Sequence, residues 1–291
     1  MRNRGILIIV LLSFSVCLFF FIGNYWVSCK SKTTKIKLKT NSFRYLSDLI
    51  VLSGGDTAFI MDSGSSCSFI FRCECKKKPV GVARVKDSNG RVKLLGFYFF
   101  KHIGLHFIDI HNMFAPYYDT ACEIDSSIIG TLGMDVISGS NWHFCFKDST
   151  VEQYALNTPY PVPKKNLLLV YSKEKSPLTT LNIDGLLCHG LLIDIGCNID
   201  LSLEENVLKK LSAQNFKADS GNGITRSTFS EKAVRNYMFD SININNNFYK
   251  KMEISERKFG PSLIGLSFFR RFDHMFWDSG RKRVYLWNDE E

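Results

Sequence analysis

The sequence predicts an all-β-dominated chain folded as two similar β-barrel-like lobes with a cleft between them, behind an N-terminal transmembrane helix. Three observations predict it. Residues 43–156 and 166–291 each read as short apolar or alternating runs broken by Gly, Asn, Asp and Ser, the pattern of strands joined by tight turns. The two stretches carry the same landmarks at the same offsets, which marks them as internal copies. Between them, residues 157–165 (NTPYPVPKK) hold three prolines that cannot continue a sheet, so this stretch is a linker.

The N-terminal element comes first in the chain. Residues 5–22 are apolar apart from Ser13 and Ser15, follow Arg2 and Arg4, and lead into Tyr25 and Trp26. That length crosses a bilayer as a helix, with an aromatic pair at the interface. Residues 1–29 are therefore expected to be a retained membrane anchor. The alternative is a cleaved signal peptide and a secreted body, against which stand the length of the run and the lack of a small-residue cleavage site. Residues 30–42 carry Lys30, Lys32, Lys35, Lys37 and Lys39 and read as a basic, membrane-flanking stem. These lysines outnumber the arginines before the segment, and the positive-inside tendency then favours a cytoplasmic body, so both sides of the membrane stay open.

The same lysines account for much of the +9 net charge. The remaining basic residues (Arg270, Arg271, Arg281, Lys282 and Arg283 among them) lack the interleaved aromatic platforms of a nucleic-acid binder, which sets that partner aside. A hydrophobic content of 45% over 291 residues is enough for a buried core. Nine cysteines show no regular framework, and the one close pair, Cys73 and Cys75, lacks the second pair or histidine of a zinc site. His102, His106 and His111 fall in strand-like sequence, where such spacing separates the rings along a face, and they read as structural. One stretch, 203–214, has apolar residues at helical spacing.

The repeat is read from three landmarks. An apolar strand ends in Asp62-Ser63-Gly64 in the first copy and in Asp194-Ile195-Gly196 in the second. A polar turn follows at 87–90 and at 219–222, each 25 residues after its aspartate (87 − 62 and 219 − 194), and each reads as a hairpin tip. Gly133 and Gly265 then come 71 residues after the same aspartates (133 − 62 and 265 − 194), and each copy closes with an aromatic-rich strand pair. Asp-Ser-Gly also occurs at Asp219 and Asp278, the latter between two apolar strands as a turn. Only Asp62 and Asp194 end buried-looking strands and precede a glycine that permits a sharp turn. Copies paired about an approximate two-fold axis bring equivalent residues near it together. Two adjacent carboxylates share a proton, so that one accepts a proton from water while the other donates to a carbonyl, with no metal or cofactor.

The runs FIMDSGSS, GTLGMD, LLIDIG and LIGLSFFRRFDHMFWDSGRKRVYLW resemble the Asp-x-Gly loops and apolar-apolar-Gly signatures of the aspartic peptidases, the pepsin and retropepsin group, over residues 43–288. The resemblance implies the acid-protease fold, two retropepsin-like units fused in one monomeric chain, and a polypeptide substrate in the cleft. It implies that Asp62 and Asp194 are catalytic and that Gly64 and Gly196 shape their loops. It also implies a flap at Asn89 and Gly90. Where the family carries hydroxyl residues after each aspartate, the first copy has Ser63 and Ser65 but the second has Ile195 and Cys197. An inactive, peptide-binding relative at a membrane is therefore the alternative. The same difference leads to the expectation that Asp62 is the more readily ionised carboxyl and Asp194 the one that holds the proton.

Overall fold

The computed structural model describes residues 26–29, 34–39, 50–52, 58–71, 78–104, 108–118, 128–172, 175–212, 219–226 and 231–289, and these are dominated by strands. In the first half they are β1 (Trp26–Cys29), β2 (Thr34–Lys39), β3 (Ile50–Leu52), β4 (Ala58–Met61), β5 (Phe69–Ile70), β6 (Gly81–Lys86), β7 (Val92–Gly104), β8 (Ile108–Pro116), β9 (Ile128–Leu132), the short α1 (Met134–Ile137), β10 (Asn141–Cys145) and β11 (Thr150–Tyr154). The second half holds β12 (Leu167–Val170), β13 (Leu178–Ile183), β14 (Leu186–Asp194), β15 (Leu201–Glu204), α2 (Glu205–Ser212), β16 (Asp219–Arg226), β17 (Glu231–Ile244), β18 (Asn247–Arg257), β19 (Leu263–Gly265), α3 (Leu266–Phe269), β20 (His274–Asp278) and β21 (Arg283–Trp287). The apolar segment 5–22 lies outside the described residues. Among those described, no helix is long and apolar enough to cross a membrane.

The repeat shows in backbone pairing as well as in sequence. β4 runs parallel to β9 with Met61 opposite Leu132, and β14 runs parallel to β19 with Ile193 opposite Ile264, an offset of 71 residues in each case (132 − 61 and 264 − 193). After each parallel pair the chain enters a one-turn helix whose first N–H is held by the aspartate loop: Met134 N–H donates to Ser65 C=O at 2.8 Å and Leu266 N–H to Cys197 C=O at 2.7 Å. Gly133 and Gly265 make that approach possible. A Cβ on Gly133 would lie 2.5 Å from the Cys67 carbonyl carbon, and one on Gly265 would strike the Ile199 carbonyl oxygen.

The closing hairpins of the two halves join edge to edge. β10 pairs antiparallel with β20, Trp142 opposite Trp277, within the sheet order β12-β21-β20-β10-β11-β2. Both indoles are fully buried, each contributing roughly 2–3 kcal/mol by burial. Each also has a partner for its N–H, Ile137 C=O at 2.8 Å for Trp142 and the Tyr171 hydroxyl at 3.1 Å for Trp277. Asp278-Ser279-Gly280 forms the turn between β20 and β21, with Asp278 Oδ1 accepting the Arg281 N–H at 2.9 Å.

Expectations from sequence are altered in two regions, residues 26–39 and residues 219–222. Thr34–Lys39 was assigned to a basic stem but forms β2, paired with β11 on one side and β3 on the other. It occupies the place that β12 holds beside β21 in the second half. Its lysines alternate with Thr34, Ile36 and Leu38, a period-two pattern that a count of charge conceals. Trp26–Cys29, assigned to the anchor, pairs with β8 as an edge strand. A chain starting at residue 43 lacks β1 and β2, so β11 keeps only its β10 edge paired and β3 only its β4 edge. Such a fragment is expected to be less stable than one starting at residue 26 by a few kcal/mol, at roughly 1 kcal/mol per lost backbone hydrogen bond. Urea titration of the two fragments measures the difference. The second alteration concerns residues 219–222, expected to be a hairpin tip. They lie inside β16, where Asp219 faces Met238 and Asn222 faces Arg235, and the β16–β17 ladder continues to Arg226 opposite Glu231. Glycines at 221 and 223 mimic a turn in sequence, yet long ladders on both sides of β17 hold the segment extended.

The helix at 203–214 appears as α2 over Glu205–Ser212, with Leu208 and Leu211 buried. His102 and His111 face each other across β7 and β8 with ring centroids 4.8 Å apart, while His106 lies outside the described residues. The described residues hold no group of three metal-ligating side chains.

Candidate active site

Asp62 and Asp194 end the parallel strand pairs of the two halves, and the packing of those pairs brings their carboxyls together. The two share a hydrogen bond. The loops interlock so closely that each glycine faces the other half's aspartate. A Cβ on Gly64 would lie 2.5 Å from the Asp194 carboxyl carbon, and one on Gly196 would strike the Asp62 carboxyl. Ser65 N–H donates to Asp62 Oδ1 at 3.1 Å, and Gly196 N–H to Asp194 Oδ1 at 2.9 Å.

The residues after the aspartates bind the loops unequally. Ser63, fully buried, donates its hydroxyl to Ile193 C=O at 2.8 Å and accepts the Ile195 N–H at 3.0 Å, so one side chain ties the first loop to the backbone of the second. Ile195 stands at the matching position, fully buried and without a hydroxyl to return the bond. Ser65 directs its hydroxyl to Cys67 C=O at 2.6 Å, within its own loop. Cys197 is held protonated, its pKa raised by burial and by Asp194, which disfavours a thiolate nucleophile at neutral pH. Ser63→Ala leaves a buried N–H unsatisfied and is expected to cost about 1–3 kcal/mol. The midpoint of urea unfolding checks it.

The electrostatics reverse the expected roles of the two acids. Asp62 is raised, first by burial and then by the charge of Asp194. Asp194 is raised by burial but drawn back by the Arg257 guanidinium and by the Gly196 N–H. The Arg257 cation thus favours the charged form of Asp194 and, with it, the shared proton on Asp62. The expectation from sequence rested on Ser63 and Ser65 donating to Asp62, but both hydroxyls are directed to backbone carbonyls, and the cation is on the other side. Arg257 carries no sequence signal. It ends β18, where the parallel pairing with β15 sets it opposite Glu204.

The flap candidates form the tip of the β6–β7 hairpin. Gly90 has φ +84°, and Asp87 accepts the Gly90 N–H at 3.0 Å through its carbonyl and the Arg91 N–H at 2.6 Å through its carboxylate. This tip reaches the second half. Lys232 donates to Asn89 C=O at 2.7 Å while its ammonium sits 3.5 Å from the centre of the Phe259 ring, against which Gly90 also packs. Beneath it, Asn89, Cys197, Lys232, Arg257 and Phe259 line one cavity.

No protein-family model and no curated protein matches the sequence. Among solved structures the chain is similar to a retropepsin-like aspartic protease from Rickettsia conorii, with a TM-score of 0.31 and 14% sequence identity over 44% of this chain and 94% of that one.

Proposed function

We propose that the protein is an aspartic-type endopeptidase whose bilobed acid-protease fold holds an extended polypeptide between the flap tip and the Asp62–Asp194 pair. The observation that carries the reading is the pair itself: two carboxyls from equivalent loops, sharing one hydrogen bond, each set against the other loop's glycine. In the first step the Asp194 carboxylate takes a proton from water as the water oxygen bonds to the peptide carbonyl carbon, and Asp62 gives its proton to the carbonyl oxygen. The C–N bond of the resulting diol then breaks. Asp194 returns its proton to the departing nitrogen, and Asp62 recovers one from a diol hydroxyl as the new carboxyl forms. The substrate backbone pairs with the flap edge while alternate side chains enter pockets.

The one-sided serine tie favours a second reading, a peptide-binding protein of the same fold without turnover, because Ile195 returns no hydroxyl to the first loop and one side chain ties the loops where two would. Incubation with a diverse peptide mixture across pH 3–8, read by mass spectrometry with and without a pepstatin-type inhibitor, separates the two. Inhibitor-sensitive internal cleavage supports the enzyme, and intact peptides at every pH refute it. We further propose that residues 5–22 tether this monomeric body to a membrane, supported by their apolar length and flanking residues. Release from vesicles by alkaline carbonate would refute the tether.

A further inference from the structure

The geometry points to a carboxylate-binding subsite at Arg257, beside the aspartate pair, that selects peptides bearing a carboxylate close to the scissile bond. It rests on the peptide-binding cleft proposed above. Arg257 lines a cavity together with Asn89 of the flap tip and Cys197 of the second aspartate loop. Its Nε is buried and has no hydrogen-bond partner. A buried charged N–H is costly to leave unmade, and a guanidinium edge suits the two oxygens of a carboxylate. Gly260, with φ +74°, lies beside this edge, where a Cβ would come 3.3 Å from Arg257 Nη2 and 3.9 Å from Nε. Lys232 and Lys258 line the same cavity; Lys232 is held by the flap carbonyl and the Phe259 ring, whereas the Arg257 Nε has no partner. The influence of Arg257 on Asp194 places that donor within electrostatic range of the reacting atoms.

A carboxylate of this kind comes either from an Asp or Glu side chain or from the C-terminus of a short product-like peptide. The test is binding to the full-length Asp62→Asn protein, which needs no turnover, using fluorescent peptides matched in pairs: Glu against Gln at each successive position, and free acid against amide at the C-terminus. One position, or the terminus, is expected to favour the acid by tenfold or more. The preference should fall to about one in Asp62→Asn/Arg257→Gln and return in part in Asp62→Asn/Arg257→Lys, while all-neutral peptides still bind. Dependence on an internal position assigns the side chain, and dependence on the free acid assigns the terminus. Equal affinity within every pair, or a preference that survives Arg257→Gln, overturns the subsite. Peptide binding with this preference but no cleavage by the unmutated protein would instead refute the peptidase reading and leave the subsite standing.

Discussion

Asp62→Asn and Asp194→Asn are each expected to lower kcat/KM for peptide cleavage by about a thousandfold or more, the scale of losing a general acid or base. The same substitutions carry a second signature of opposite sign. Burial raises the pKa of both acids, and the charge of Asp194 raises Asp62 further, to about 8. Groups raised on folding bind more protons in the native than in the unfolded state, so their contribution to stability is fully present below the ordinary carboxylate range, near 4, and is lost as pH rises through the folded value. Asp62→Asn removes that loss. The variant should be more stable than the parent at pH 7–8, with the advantage shrinking toward pH 4. Activity assays beside urea titrations at both pH values check the pair of outcomes. An inactive variant with no gain at neutral pH would mean the acids are not in the shared, buried state; substantial cleavage by either variant would exclude the two-acid mechanism.

Gly196→Ala is expected to abolish activity with a smaller structural loss, because the added methyl would strike the Asp62 carboxyl. Gly64→Ala presses in the same way on Asp194, its Cβ lying 2.5 Å from the carboxyl carbon. Contacts that short force the carboxyls apart or shift a loop, and overpacking of this kind costs typically 1–3 kcal/mol. The shared hydrogen bond is lost in either case. Loss of turnover by at least a hundredfold, alongside a cooperative unfolding transition, is the expected result. Gly221→Ala serves as the control, since a Cβ there meets nothing within 4 Å. Activity retained in Gly196→Ala would show that the loops do not need to interlock.

These predictions draw on features of unequal legibility. Gly64 and Gly196 stand out in sequence as turn glycines, but their close approach to the opposite aspartate is set by how the two halves dock. Ser63 is visible as a hydroxyl next to an acid; its role as a tie to Ile193 and Ile195, 130 and 132 residues away, appears only in the fold.

What the sequence determined by itself was the strand-rich character of both halves, the two aspartate loops, and the 71-residue step from each aspartate to its closing glycine. Alternation, turn residues and repeated spacing are local or self-referential signals, so they survive in a string of letters. Tertiary structure decided what depends on neighbours far along the chain. It made a strand of the lysine-rich segment at Thr34–Lys39, whose place is set by pairing with β11 and β3. It kept residues 219–222 extended against β17 despite their turn-like composition. It also set Arg257, 63 residues after Asp194 (257 − 194), at the end of the β18 ladder and near enough to hold that carboxyl toward its charged form. The physical reason is the same in each case: pairing partners and Coulomb interactions act through space, and neither leaves a period in the sequence.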